Sequence, residues 1–189
     1  MSEINKPFIE SLVTRFKVIG FDADWTIWQP IQGQGKENQF RQDPFDVKWM
    51  VERKEVLQAL YNLGVRLFIA TNQGLTPFLP SEAEAEQFIR QHLKASEILV
   101  SEIGSNVRIY HCFTYPPVDY KPQLEKYVSE DDFMRKPNPG MLFTAMSDFE
   151  IANVHDVLYV GDRLEDEKAA QKAGVHFLGA EAFFSKAYR

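Results

Sequence analysis

The sequence predicts an α/β fold, a Rossmann-like three-layer sandwich in which helices cover both faces of a central parallel sheet. Short apolar segments alternate with amphipathic segments along the chain. The apolar segments lack the polar alternation of half-exposed strands, which is typical of parallel strands buried on both faces. With 189 residues and no Gly/Ser-rich or Pro-rich linker, residues 1–189 are expected to form a single domain.

Five strands are predicted from short runs rich in apolar and β-branched residues. Each run is separated from the next by a segment long enough for a crossover helix, which favours parallel pairing. The predicted strands are 16–21, 65–70, 107–113, 157–160 and 175–178.

Two helices are predicted from a 3.6-residue apolar period that stops at a glycine. Residues 51–63 place Val56, Leu57, Leu60 and Leu63 on one face, before Gly64. Residues 164–173 end before Gly174 in the same way. Glycine adopts the left-handed conformation that commonly closes a helix, so both ends are well marked.

Two further helices are predicted from their first residues. Ser81 and Glu84 have the spacing of a capping box, followed by the apolar side chains Phe88, Ile89 and Leu93. Asn138 and Pro139 match the preferred N-cap and first helical residue of another helix. Residues 25–50 have no clean helical period and are predicted to form a loop or small flap, whereas residues 116–132 receive no assignment.

Composition and charge limit the classes of partner. Net charge is −6, from 21 basic and 27 acidic residues, so binding of nucleic acid or an anionic membrane has no general electrostatic support, although a local basic patch stays open. Cys112 is the single cysteine, which excludes an internal disulfide and a cysteine-built zinc site. No segment has the length of a membrane span and residues 1–16 lack a signal-peptide pattern, so we expect a cytoplasmic protein. No pattern specifies an oligomeric state.

Polar residues follow several predicted strands directly. In an open parallel sheet, ligands bind beyond the carboxyl ends of the strands. Side chains that follow different strands are therefore expected at one rim, and a lysine before a helix start joins them. These residues are Asp22 and Asp24 after the first strand, Thr71 and Asn72 after the second, Asp162 and Asp166 after the fourth, and Lys136.

This set of residue types suits phosphoryl chemistry. Carboxylates gathered at one rim repel each other unless a cation lies among them, and oxygen ligands of this kind suit Mg²⁺. A lysine and a threonine hydroxyl complement the remaining oxygens of a phosphate. An ionised aspartate aimed at phosphorus can act as a nucleophile, and an acid two residues away can serve as general acid and base.

Four segments, in order, resemble the motifs of the haloacid dehalogenase superfamily. Its first motif is Asp-x-Asp-x-Thr after apolar residues, its second a Thr or Ser at a strand end, its third a lysine, and its fourth Gly-Asp-x-x-x-Asp. The matching segments are FDADWTI (21–27), ATNQG (70–74), RKPNPGM (135–141) and VGDRLED (160–166). The resemblance covers residues 16–178.

The resemblance implies a role for each matching residue. Asp22 would be the nucleophile that forms an aspartyl-phosphate and a Mg²⁺ ligand, and Asp24 the general acid and base, with its backbone carbonyl on the metal. The phosphoryl group would be held by Thr71 and Lys136, with Asn72 beside them. Mg²⁺ would also be bound by Asp162 directly and by Asp166 directly or through water. An acid at position 24 favours phosphatases over the dehalogenase branch.

Within the superfamily, the wording of the second and third motifs is similar to histidinol, heptose bisphosphate and polynucleotide 3′-phosphatases. Residues 25–50 and 73–106 leave no room for a large cap domain, so we expect an open site. The expected activity is hydrolysis of a small phosphorylated metabolite or sugar phosphate. A polynucleotide 3′-phosphatase is the alternative, although charge does not favour a nucleic-acid end, and a receiver-like phosphoacceptor is a weaker one. Trp25 replaces a glycine of many relatives, which predicts a bulkier turn after Asp24.

Overall fold

The computed structural model describes residues 3–32, 43–117 and 122–188. Its main sheet has five strands, all parallel, in the order β5-β4-β1-β6-β7. The strands are β1 (Val18–Phe21), β4 (Arg66–Asn72), β5 (Arg108–Cys112), β6 (Val157–Gly161) and β7 (His176–Gly179). All five predicted strands are present, and the predicted α/β class is confirmed.

A second, two-stranded antiparallel sheet lies between β1 and the next helix. It pairs β2 (Trp28–Gln29) with β3 (Lys48–Trp49). This hairpin is the described part of the predicted flap, and residues 33–42 of that prediction lie outside the described residues. Residues 73–106 contain a short 3-10 helix (Thr76–Phe78) and one long helix. These described segments hold no cap domain, as predicted.

Six α-helices occur in the described part of the chain. They are α1 (Lys6–Arg15), α2 (Arg53–Asn62), α3 (Glu82–Ser101), α4 (Gly140–Asp148), α5 (Leu164–Ala173) and α6 (Ala180–Ala187). The chain also forms 3-10 helices at Glu125–Tyr127 and Val154–Asp156. None of these helices is long and apolar enough to cross a membrane.

The helices divide into two layers because strand residues alternate between the faces of the sheet. Ile19 and Phe21 of β1 pack with buried residues of α1, α2, α3 and α6. Val18 packs on the other face with α4 and α5. The central strands β1 and β6 are therefore buried at every residue, which explains why their sequences are apolar. The edge strands β5 and β7 are only partly buried.

Three local predictions about helices are wrong. The N-cap of α4 is Pro139 rather than Asn138, because the Asn138 side chain donates to the Asp132 carbonyl and accepts from Lys172. Leu63 is the C-cap of α2 and is 51% exposed. On α3, Leu93 faces solvent while His92 is buried. By contrast, Ser81 accepts from Glu84 N as an N-cap should, and Gly174 has φ 74°.

Candidate active site

Asp22 lies at the carboxyl end of the central strand. Its backbone N–H donates to the Val160 carbonyl at 2.8 Å, which continues the pairing of β1 with β6 by one residue. Both carboxylate oxygens accept hydrogen bonds, Oδ1 from Lys136 Nζ at 2.6 Å and Oδ2 from Thr26 Oγ1 at 3.2 Å. Asp22 is only 7% exposed. The nucleophile predicted from the sequence is therefore held in a fixed orientation at the sheet rim.

Lys136 is buried among oxygen atoms. Its Nζ lies 2.6 Å from Asp22 Oδ1 and 2.7 Å from Asp166 Oδ1. It also lies 2.8 Å from the Ala70 carbonyl and 3.0 Å from the Tyr159 hydroxyl. Three donor hydrogens thus meet four acceptors, and Tyr159 itself donates to Ala70 at 3.1 Å. A buried ammonium needs such complete pairing, so this lysine belongs to the site and not to the surface.

The charges around Lys136 do not balance. Burial alone would lower the pKa of Lys136, but the carboxylates of Asp166 and Asp22 raise it well above its usual value. Burial, followed by the charge of Asp166, raises the pKa of Asp22 to about 8, and Lys136 opposes this rise. The pKa of Asp22 rises because its carboxylate is buried beside a second carboxylate, and a single ammonium does not offset both effects. A further cation at this position would be stabilised.

The side chains that could hold such a cation form a compact group. One carboxylate oxygen each from Asp22, Asp162 and Asp166 lies within 4.8 Å of the others. Thr26 Oγ1 connects two of these acids, at 3.2 Å from Asp22 Oδ2 and 3.3 Å from Asp162 Oδ1. A donor set made only of oxygen atoms suits a hard divalent cation, and these residues therefore fit Mg²⁺.

Asp166 is placed by the glycine of its own motif. A Cβ atom at Gly161 would lie 2.5 Å from Asp166 Cβ, so only glycine allows this approach. At the start of α5, Asp166 Oδ2 accepts from Arg163 N at 3.0 Å while Oδ1 accepts from Lys136. Asp166 is thus held at the rim from two sides. Its predicted contact with Mg²⁺, direct or through water, stays a prediction.

Asp24 lies outside the carboxylate group and is held by two donors. Trp28 Nε1 donates to Oδ1 at 3.1 Å, and Gln73 Nε2 donates to Oδ2 at 2.7 Å. Gln73 Nε2 also lies 2.9 Å from Thr71 Oγ1. Trp28 is fully buried, so it contacts Asp24 and not a substrate. Successive acids after β1 thus have different partners, as the separate roles predicted for them require.

The two polar residues of the second motif, Thr71 and Asn72, have different contacts in the site. Thr71 is buried at the end of β4, with its hydroxyl beside Gln73. The Asn72 amide pairs with the backbone of Lys136 in both directions, donating to its carbonyl at 2.9 Å and accepting from its N–H at 3.1 Å. Asn72 therefore fixes the segment that carries the lysine. Its predicted contact with phosphate stays a prediction.

A second set of bonds holds the same segment from the other end. Asp132 accepts from Thr114 Oγ1 at 2.6 Å and from Met134 N at 2.8 Å. The Arg135 guanidinium donates to the Thr114 carbonyl and lies 4.7 Å above the ring of Tyr115. Cys112, buried as expected of a small apolar residue, packs beside this network. The lysine is therefore positioned by two strands of the sheet, β4 and β5.

The chain belongs to the polynucleotide kinase 3 phosphatase family, whose model matches residues 17–186. This result confirms the predicted resemblance to capless phosphatases of the haloacid dehalogenase superfamily. A solved structure from B. bronchiseptica, D,D-heptose 1,7-bisphosphate phosphatase complexed with magnesium and phosphate, matches with a TM-score of 0.60. That match has 20% sequence identity and covers 86% of this chain and 79% of that chain.

Two curated relatives have the same description, D-glycero-alpha-D-manno-heptose-1,7-bisphosphate 7-phosphatase. The protein from Photorhabdus laumondii is 30% identical over 123 residues, which are 63% of this chain and 61% of the relative. The protein from Burkholderia mallei is 32% identical over 122 residues, 64% of this chain and 60% of the relative. The match therefore spans about three fifths of the length of each of these relatives.

The structure brings the predicted residues to one rim. Asp22, Asp166 and Lys136 form a connected buried group, and half-buried Asp162 joins it through Thr26. Gln73 connects Asp24 with Thr71 beside this group. Four contributing side chains were not predicted to have a role in the site. They are Thr26, Trp28, Gln73 and Tyr159. Thr26, Trp28 and Gln73 lie inside or next to the four motifs, so their position could have indicated a role. Tyr159 lies within an apolar strand, which gave no such indication.

Proposed function

We propose that the protein hydrolyses phosphate monoesters of small metabolites or sugars through an aspartyl-phosphate on Asp22, with Mg²⁺ as its cofactor. The observation that carries the proposal is the group formed by Asp22, Asp162 and Asp166, in which a single buried lysine pairs with Asp22 and Asp166. This group has an excess of negative charge that a divalent cation would offset. The same group lies where the strands end, which is where an α/β sheet binds ligands.

In the first step, an Asp22 oxygen attacks phosphorus and the bond from phosphorus to the leaving oxygen breaks. Asp24 gives its proton to that oxygen, which leaves as an alcohol. Asp22, Asp162 and, directly or through water, Asp166 would hold Mg²⁺, which would supply charge neutralisation for the phosphoryl oxygens. Lys136 and Thr71 would hold the transferred group in line.

In the second step, Asp24 takes a proton from water, and the water oxygen attacks phosphorus. The bond between phosphorus and Asp22 breaks, which releases inorganic phosphate and restores the carboxylate. Gln73 and Trp28 keep Asp24 aimed at the reacting oxygen in both steps.

The substrate class is supported by the relatives, both described as phosphatases of a heptose bisphosphate. The name of the family favours a second candidate, a 3′-phosphorylated polynucleotide end. A net charge of −6 gives that candidate no general attraction. We therefore place small sugar and metabolite phosphates first.

The test is turnover of p-nitrophenyl phosphate with and without Mg²⁺, followed by a panel of phosphometabolites beside a 3′-phosphorylated oligonucleotide. We expect activity that EDTA removes and Mg²⁺ restores. Asp22→Asn should abolish it, whereas the exposed Asp131→Asn serves as the matched control and should retain it. Full activity in Asp22→Asn would contradict the mechanism, and preferred turnover of the oligonucleotide would favour the second candidate.

A further inference from the structure

A groove opens beside the carboxylate group, over the carboxyl ends of β6 and β7. Its volume is about 750 Å³, within the range of sites for small ligands. Asp162 and Trp25 line the end of the groove next to the catalytic residues, and Arg53 and Ser185 line it farther along. A substrate bound through its phosphate at Asp22 could therefore extend its leaving group into this space.

Arg53 is the unusual residue of the groove. Its guanidinium carbon lies 3.7 Å from the centre of the Phe184 ring, whose side chain is buried in the core. Its Nε–H is buried and meets no acceptor in the described part of the chain. Burial lowers the pKa of this guanidinium, which shows how poorly its charge is solvated. A buried donor without an acceptor is costly. Arg53 also lines the groove, where a ligand would meet its terminal N–H groups.

The stacking on Phe184 also orients the guanidinium. A ring below the plane occupies the face of the group and leaves its N–H edges for acceptors. Guanidinium edges match the geometry of carboxylate and phosphate oxygens. The acids that line the groove are Asp162, Glu167 and Glu181, and Glu181 is exposed to solvent. Tyr188 and Glu52 offset part of the effect of burial on the pKa of Arg53.

We propose that this groove binds the leaving group of the substrate and that Arg53 recognises a second anionic group on it, a carboxylate or a phosphate. The inference rests on the proposed function, since it assigns the substrate class of the same site. Arg53 is then a specificity-determining residue, and the preferred substrates are phosphate esters that carry another negative charge.

The test uses two pairs of esters that differ by one anionic group. They are glucose 6-phosphate with glucose 1,6-bisphosphate, and phenyl phosphate with 4-carboxyphenyl phosphate. For the wild type we expect a higher kcat/KM for the doubly anionic member of at least one pair. Arg53→Met should lower the ratio of the two values by about tenfold, the loss of one charge-assisted contact, and Arg53→Lys should restore part of it.

Glu181→Gln is the matched variant with the opposite expectation. It removes a negative charge from the rim of the groove, so it should raise the same ratio or leave it constant. If Arg53→Met raises the ratio while Glu181→Gln lowers it, the groove binds a cationic group and the inference is overturned. Equal ratios for wild type and Arg53→Met would overturn it as well.

Binding in the Asp22→Asn background separates this inference from the proposed function. Calorimetric titration with glucose 1,6-bisphosphate and glucose 6-phosphate, in the presence of Mg²⁺, measures recognition without turnover. Arg53-dependent preference for the bisphosphate supports the groove even if no ester is hydrolysed, in which case only the proposed activity fails. Turnover without that preference would support the proposed activity and overturn the inference about the groove. If Arg53 is needed only for the binding of inorganic phosphate, the groove binds a free anion and not a group of the substrate, and the inference is overturned as well.

Discussion

The side-chain amide of Gln73 donates to Asp24 Oδ2 at 2.7 Å and lies 2.9 Å from Thr71 Oγ1. One residue thus connects the proposed acid and base with a proposed phosphate ligand. Gln73 is buried, so no solvent competes for these bonds. Its position two residues after Thr71 at the end of β4 makes this geometry possible.

We expect Gln73→Met to lower kcat by at least about tenfold with a smaller change in KM. Methionine keeps the volume of the side chain but cannot donate, so Asp24 loses the bond that orients it, and misplaced acid–base catalysis costs at least this factor. Steady-state kinetics with p-nitrophenyl phosphate measure both constants. Gln171→Met on the surface of α5 is the control, and equal kcat values for the two variants would contradict the role.

Lys136→Met should lower the free energy of unfolding through a local effect on the site. Its removal leaves the carboxylates of Asp22 and Asp166 buried without their shared partner, which costs about 3–5 kcal/mol of unfolding free energy. Chemical denaturation measures this loss. Mg²⁺ should recover part of the lost stability, because it would bind the same two carboxylates in the folded state alone.

The control for that experiment is Lys17→Met. Lys17 forms an ion pair with Asp156 at 2.6 Å, but its side chain is 66% exposed. An exposed pair contributes about 0–1 kcal/mol. A loss of similar size in the two variants would mean that burial of the Lys136 group has been overestimated.

Gly161→Ala should weaken Mg²⁺ binding. The new methyl group would meet Asp166 Cβ at 2.5 Å, so Asp166 and the start of α5 must move away. We expect a higher Mg²⁺ concentration for half-maximal activity. Gly179→Ala is the comparison, because a Cβ there meets nothing within 4 Å; an identical Mg²⁺ requirement in both variants would show that Asp166 does not depend on Gly161.

The sequence predicted those parts of the site that depend on local position. Asp22, Thr71 and Asp162 each follow a strand directly, and parallel strands bring their ends to one rim whatever the details of packing. Contacts that depend on which strands are neighbours in the sheet could not be predicted from local sequence. Tyr159 reaches Lys136 across 23 residues of chain, and within an apolar run its ring was indistinguishable from ordinary core.

The same reasoning explains the errors in the helices. The Asn138-Pro139 pair favoured Asn138 as an N-cap. The Asn138 side chain instead connects Asp132 with Lys172, which belong to separate segments of the chain. Helix α1 was not predicted, since only Ile9 and Leu12 on it are buried. Its position depends on packing against α2 and α6, which a local period does not contain.

Asp132 provides a prediction about pH. Burial alone would raise the pKa of Asp132, but hydrogen bonds from Thr114, Met134 and Cys112 lower it below its usual value. A lowered folded-state pKa means that this carboxylate adds stability above its unfolded pKa, about 3.9, and that the contribution is lost as the pH falls through the folded value. We therefore expect Asp132→Asn to lower Tm at pH 7.

The difference in Tm between wild type and Asp132→Asn should shrink as the pH falls from about 4, where the unfolded state begins to bind the proton, through the lower folded-state pKa, below which both states bind it. Differential scanning calorimetry from pH 3 to pH 7 measures it. Asp131→Asn, at the exposed neighbouring position, should show no such trend. A constant difference across this range would mean that charge on Asp132 does not contribute.

At Trp25 we expect glycine and alanine variants to have the reverse of their usual order of stability. Its φ is 66°, in the left-handed region where glycine is unstrained and other residues lose about 1–2 kcal/mol. Trp25 stands at this position where many relatives have glycine; the predicted change in the turn stays a prediction. Trp25→Ala removes the side chain but keeps the strain, whereas Trp25→Gly removes both. We therefore expect the glycine variant to be more stable than the alanine variant by about 1 kcal/mol.

Urea denaturation of the two variants measures this difference. The exposed residue Leu93, within the interior of α3, is the control, since Leu93→Gly should be less stable than Leu93→Ala there, the usual order in a helix. Only a positive φ at Trp25 reverses that order, because the two replacements bury nearly the same surface. If alanine is the more stable replacement at both positions, the backbone at Trp25 is not held in the left-handed region.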